Sequence, residues 1–116
     1  MSTNLATSAR AFVHRYQADE GLKADHRDWN CTLSLQANDD PQRVGIVIVA
    51  GEVQSLLVGA GAADLVVSAP LATLVEILEL RLNPNQPYLF GELTLQGEEA
   101  DFMRVDYIAS TLCAHA

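Results

Sequence analysis

The stretch Asp25-His26-Arg27-Asp28 puts an acid, an imidazole and a guanidinium within four residues, the ingredients of proton transfer. Acid–base chemistry needs such groups to converge on one point. Adjacent residues seldom do so, and the stretch reads as a solvated loop. The other histidines are scattered. His14 falls opposite the apolar stripe of a first helix, and His115 lies near the C-terminus. Three histidines so dispersed do not provide a metal-ligand spacing. Ser68 has no Gly-x-Ser-x-Gly elbow around it. The Gly-x-Gly of "GAGAAD" precedes a strand, whereas a dinucleotide fingerprint follows a strand and opens a helix, so Gly59 to Ala63 reads as a turn. Cys31 and Cys113 are far apart and form no C-x-x-C pair; they read as small apolar residues in a reducing compartment. Glu98, Glu99 and Asp101 are accounted for by a helix N-terminus, whose dipole favours acids. No catalytic set, metal or cofactor is expected, and the chain is expected not to be an enzyme.

What the sequence holds in surplus is apolar surface on regular elements. Leu5, Ala9, Phe12, Val13 and Tyr16 recur at helical spacing and predict a helix over about 4–18, with Gly21 just beyond its end. "WNCTLSLQ" alternates and predicts a half-buried strand, with Cys31, Leu33 and Leu35 on one face. "RVGIVIVA" is β-branched on both faces and predicts a central strand covered on both sides. "VQSLLVG" and "DLVVSA" make a third and a fourth strand. Ser68 can cap the next helix, with Pro70 in its first turn. Leu71, Leu74, Val75, Leu78 and Leu82 form one face of that helix, and Asn83-Pro84 ends it, since residues before proline avoid helical geometry. Glu92 to Gln96 is a fifth strand, and Glu98 to Leu112 a last helix with Phe102, Val105, Ile108 and Leu112 in one stripe. The order is helix, four strands, helix, strand, helix. The helix between strands four and five would be a right-handed crossover if those strands were parallel. The fold class is α+β: one five-stranded mixed, mostly antiparallel sheet covered by helices, in one domain over 1–116.

The segment "ADLVVSAPLATLVEILELRLNPNQPYLFGELTLQGEEADFMRV" resembles the sterol carrier protein type-two family of small lipid-binding domains. The family's Asp-Leu-x-apolar strand corresponds to Asp64-Leu65, and its paired helical leucines to Leu74 and Leu78. Its basic-Leu-Asn-Pro exit corresponds to Arg81-Leu82-Asn83-Pro84, its aromatic segment to Tyr88 and Phe90, and its Gly-basic-Leu strand to Gly91 through Gly97. Leu80 stands where the family often has glycine, and Glu92 where it has a basic residue. The tail "CAHA" lacks the peroxisomal tripeptide of some members. The resemblance implies an apolar tunnel for sterols, fatty acyl chains or similar lipids. Bacterial proteins resembling the family also serve as accessory factors in isoprenoid-quinone synthesis.

Composition narrows the partners. Fifteen acids against seven bases give a net charge of −8, with no basic patch for nucleic acid and little attraction to anionic lipid surfaces. The longest apolar run, Val44 to Ala50, is far below the roughly 18 residues of a membrane span, so no stable membrane anchor is expected. Met1 to Arg10 lacks the basic start and apolar core of a signal peptide, which favours a cytoplasmic protein. The expected function is binding or carriage of an apolar small molecule, with Leu74, Leu78, Tyr88, Phe90, Phe102 and Met103 as its wall. An acyl chain of about ten methylenes would gain about 8 kcal/mol on burial, before association costs. The same surplus could instead interdigitate as plain core. It could also form the interface of a homodimer or partner-binding module, the alternative reading.

Overall fold

A computed structural model describes residues 4–59 and 61–114. The turn expected at Gly59 to Ala63 includes one residue outside this range, and His115 also lies outside the described residues. The elements run α1 (Leu5–Gln17), α2 (Glu20–Asp25), β1 (Cys31–Ala37), β2 (Arg43–Val49), β3 (Glu52–Val58), β4 (Leu65–Ala69), α3 (Leu71–Leu78), α4 (Asn85–Leu89), β5 (Thr94–Gly97) and α5 (Glu99–Ala114).

The strands form one sheet in the order β3-β2-β1-β4-β5. β1 and β4 are parallel; the other three pairs are antiparallel. Strand alternation assembles an apolar floor on one face. One row across the sheet is Leu56, Ile46, Leu33 and Leu65; the next is Val58, Val44, Leu35, Val67 and Leu95. The helices cover this floor, and the chain buries Leu5, Ala9 and Tyr16 of α1, Leu74, Ile77 and Leu78 of α3, and Phe102, Ile108 and Leu112 of α5 with it.

Four expectations need correction. β2 is interior but is covered on one side only: Val44, Ile46 and Ile48 are buried, Val47 is half-buried and Val49 is exposed. The central strand is β1, because β4 returns to pair beside it. β4 and β5 are antiparallel, so the connection between them is not a parallel crossover. Gly21 does not follow the end of a helix. It lies in the first turn of α2, which Asp19 caps by accepting from the Leu22 amide at 3.0 Å.

The fourth correction concerns α3. Ser68 lies within β4, and the start of α3 is capped instead by Asp39, whose carboxylate accepts from the Leu71 amide at 2.9 Å. The helix also ends before Asn83-Pro84. Leu80 adopts φ +64°, and the Arg81 amide reaches back to the Glu76 carbonyl at 2.8 Å, a Schellman-type reversal. Leu80 is nonetheless buried, so the apolar helical period continues on paper past the true end. Pro84 then starts α4, and its carbonyl accepts from the Tyr88 amide. Proline tolerates a first helical turn because its missing N–H would be unpaired there.

The tight β2–β3 connection holds two layers together. Ala50 and Gly51 have φ +52° and +77°, the mirror-image turn that suits a twisted hairpin. Gly51 packs so closely on α2 that a Cβ there would lie 2.5 Å from the His26 carbonyl oxygen. Its amide donates to the Trp29 carbonyl at 3.0 Å, and its carbonyl accepts from the buried Tyr16 hydroxyl. Gly51→Ala is expected to lower the urea-unfolding free energy by about 2–3 kcal/mol, since it adds strain and separates α2 from the turn. An Ala50→Gly control at the same turn should be neutral or stabilising.

Candidate functional site

Between the floor and the helices lie two apolar voids, each of about 40 Å³. The first is lined by Tyr16 and Val13 of α1, Trp29, Ile48 of β2, Val53 of β3 and Ile108 of α5. The second is lined by Leu35 and Val67 of the sheet, Leu74 and Leu78 of α3, Pro84, Leu93, and Phe102 and Ala109 of α5. Phe12, Leu33, Ile46 and Val105 face both voids. Two of these four belong to the floor, and Phe12 and Val105 belong to α1 and α5. The voids are therefore two chambers of one seam, divided where α1 and α5 meet above the middle of the sheet.

Neither lining contains a charged residue. Each void has room for only a few waters by volume, far less than the roughly 300–1,000 Å³ of an ordinary ligand pocket. In place of one continuous tunnel, the structure has a nearly filled seam. Its dividing side chains must move if a guest of lipid size is to enter.

The residues expected as wall separate into two groups. Leu74, Leu78 and Phe102 are buried and line the second void. Tyr88 is 38% exposed and lies on the outside of Phe102, ring centroids 5.1 Å apart. Phe90 and Met103 are 84% and 64% exposed and line neither void. The physical reason is the early end of α3. Because the chain turns at Leu80 and restarts as α4, Tyr88 to Phe90 lie on a helical turn over the rim and not on an extended segment along the floor. Met103 follows Phe102 on α5, about 100° around the helix, and so points away from the seam.

Sequence reasoning assigned Phe12 to the packing stripe of α1 and missed its place at the partition. The stripe was legible; which helix it would meet across the sheet was not. A polar cluster was missed as well. His26, read as solvated, is 5% exposed. Its ring lies 5.7 Å from Trp29 and 5.9 Å from Tyr107, and Nδ1 is 3.1 Å from Arg104 Nη1. Arg104 also donates two hydrogen bonds to Asp28, each 3.1 Å, and lies 5.8 Å from the Trp29 ring centre. Trp29 donates to Asp101 at 2.9 Å. Burial, with the Arg104 charge, lowers the His26 pKa, and Arg104 holds the Asp28 carboxyl below its usual range. This cluster braces the outer side of Trp29, whose ring helps line the first void. No local pattern could have revealed it, because Arg104 arrives from the last helix.

Among the described residues no group of histidines, cysteines or acids could hold a metal ion, and no helix is long and apolar enough to cross a membrane. Cys31 and Cys113 are both free.

The site is thus an uncharged seam under the helices of a one-sheet α+β domain. The chain belongs to the SCP-2 sterol transfer family, whose sequence model matches residues 11–110. It is similar in fold to a crystal structure of sterol carrier protein 2, with a TM-score of 0.71, 23% identity, and coverage of 90% of this chain and 92% of that one. A solution structure of a conserved protein of Thermus thermophilus, suggested to be a sterol carrier protein, matches at a TM-score of 0.69 and 27% identity, covering 93% of this chain and 82% of that one. A UbiJ-SCP2 ubiquinone synthesis protein matches at a TM-score of 0.69 and 19% identity, covering 96% and 91%. No curated protein sequence matches the chain.

Two buried groups titrate late. Burial pushes the Tyr16 hydroxyl up to about 12, with Glu52 adding to the rise, and burial pushes the Cys31 thiol up to about 12, with Asp101 and Asp64 adding. Each holds its proton more tightly folded than unfolded. Their stabilisation is full below the unfolded values of 9.0 and 10.0 and is lost as pH rises toward 12. Urea midpoints should therefore fall through pH 9–12. Tyr16→Phe should make that slope shallower above pH 10, leaving the Cys31 share, while lowering neutral-pH stability by about 1 kcal/mol through the lost hydrogen bond to Gly51.

Proposed function

We propose that the chain binds and carries an apolar ligand, without chemistry, in the seam between the sheet and the helices. The ligand is a fatty acyl chain, a sterol or an isoprenoid lipid. The observation that carries this reading is the seam itself: two neighbouring chambers with uncharged linings that share Phe12, Leu33, Ile46 and Val105. Displacing Phe12 and Val105 would join the chambers without breaking a strand or helix. The energy balance permits it. Burying about ten methylenes contributes about 8 kcal/mol, which offsets part or all of the roughly 4–15 kcal/mol that association costs.

Family membership supports the same ligand class. The ubiquinone-synthesis role named for one structural neighbour makes an isoprenoid quinone or its precursor a member of that class worth testing. Leu74, Leu78 and Phe102 would be the inner wall. Tyr88, Phe90 and Met103 would form an apolar rim outside Phe102, across which the ligand's tail would pass.

A second reading, a self-associating or partner-binding module, draws on exposed apolar residues at two places. Leu57 and Val58 on edge strand β3 are 60% and 70% exposed, and Leu89 and Phe90 on the α4 rim are 71% and 84% exposed. Delipidated protein should take up at least one of a fatty acid, a sterol and a quinone, seen by native mass spectrometry or by displacement of a fluorescent lipid probe. Leu78→Trp should fill the second chamber. Its uptake should fall about tenfold or more, at a stability cost of about 1–3 kcal/mol, with the circular dichroism spectrum retained. Absence of uptake across all three lipid classes, together with a stable dimer in sedimentation at micromolar concentration, would decide for the second reading.

A further inference from the structure

His26 is the C-cap of α2, and its backbone is fixed from two sides. Its carbonyl accepts from the Trp29 amide at 2.9 Å, and Gly51 of the β2–β3 turn packs directly on that carbonyl. Its buried ring lies against Trp29 and Tyr107. A guanidinium carries donors only, so the 3.1 Å contact with Arg104 Nη1 makes His26 Nδ1 the acceptor. This contact assigns the proton of the neutral ring to Nε2, which is buried without a hydrogen-bond partner among the described residues. A second proton would have to sit on Nδ1. There it would set N–H against N–H, and a new positive charge against the guanidinium.

The charged or titratable groups around the ring are Asp25 of α2, Asp28 of the next loop, and Arg104 and Tyr107 of α5. The β2–β3 turn meets His26 through Gly51 backbone, and Tyr16 of α1 lies within range of the Arg104 charge. Burial first, then Arg104, hold the His26 pKa below its ordinary 6.5 against the opposing pull of Asp25 and Asp28. The stabilisation from the neutral ring is therefore full above pH 6.5 and is lost as pH falls through the folded midpoint. Asp28 is held below its ordinary 3.8 by Arg104 and stays ionised above that value.

The anchoring decides which partner yields. His26 is pinned through its backbone, and Trp29 Nε1 is held by Asp101. Arg104 ends near the surface, paired with the exposed carboxylate of Asp28, and is the side chain able to swing out. When it leaves, Trp29 loses the guanidinium 5.8 Å from its ring centre. We propose that the His26–Arg104 contact is an acid-released latch on Trp29, and so on one wall of the first chamber: protonation of His26 expels the Arg104 side chain and loosens Trp29 while the rest of the fold stays intact. The latch acts on the wall alone and holds whichever guest, if any, the seam takes.

Trp29 is the only tryptophan in the chain, so acrylamide quenching of its fluorescence reports this one residue. Lowering the pH of the full chain from 7.5 to 4.5 should raise the quenching constant about twofold or more in a single step, with the far-UV circular dichroism unchanged. His26→Asn offers Arg104 an oxygen acceptor but takes up no proton in this range, and should abolish the step. The latch is overturned by a step that survives in His26→Asn, by no step in the unsubstituted protein, or by a step that coincides with loss of the circular dichroism signal. Should His26→Asn not fold, histidine ring-carbon NMR of the unsubstituted protein decides. The quenching midpoint should coincide with that of His26 and lie below 6.5. A midpoint that differs from that of His26 overturns the latch.

Discussion

The structure depends on covering one face of its sheet. Strand alternation sets two rows of Leu, Ile and Val across four and five strands, and all but the edge residue Val58 are covered from water. Each such side chain contributes about 1.5–3 kcal/mol when buried, so the helices are held down by the floor more than by any polar contact. The floor is also wider than any one helix. α1, α3 and α5 must share it, and helices of roughly circular section leave gaps where their sides diverge. The two chambers lie in those gaps, and Phe12 and Val105 border both. A seam for an apolar guest follows from the same geometry that makes the core.

The polar interactions act at the edges of this arrangement. Gly51 lets the β2–β3 turn approach α2 and accepts the Tyr16 hydroxyl, linking α1, α2 and the sheet at one corner. His26, Arg104, Asp28 and Asp101 brace Trp29 from α2 and α5. At the other end of the sheet, Gly97 at φ +135° lets β5 reach Asp64, whose carbonyl oxygen a Cβ there would meet at 2.2 Å. The α3–α4 corner is different in kind. Leu80 accepts a left-handed backbone, which costs a non-glycine residue roughly 1–2 kcal/mol, and stays buried. Where related proteins often place glycine, this chain trades backbone ease for one more apolar side chain beneath the rim. The Cys113 thiol and Asn83 then tie that corner to α5 through the Leu80 carbonyl and Ser110.

Much of the fold was legible in the chain. The five strands, the first and last helices and the α+β class follow from periods of two and 3.6, which are local consequences of backbone geometry. The family resemblance was carried by Asp64-Leu65, Arg81 to Pro84 and Gly91 to Gly97, residues that mark turns and strand starts. Errors fell where a local signal has two meanings. Gly21 and Pro84 can end a helix or begin one, and the apolar period of α3 runs through the turn at Leu80 because Leu80 itself is apolar and buried there. Of the expected wall, Leu74, Leu78 and Phe102 line the second void, while Tyr88 and Phe90, expected from the aromatic segment, and Met103, expected beside Phe102 on the last helix, lie outside it.

The sequence by itself determined which faces are apolar, the number of strands, the excess of acids over bases, and the surplus of greasy side chains, because each depends on residue type and short-range spacing. Tertiary structure alone decided that β4 lies beside β1, that Phe12 and Val105 border both voids with Leu33 and Ile46, and that His26 is buried. These facts join residues far apart along the chain. They arise from how helices of finite width settle on a shared floor, and no local period encodes that.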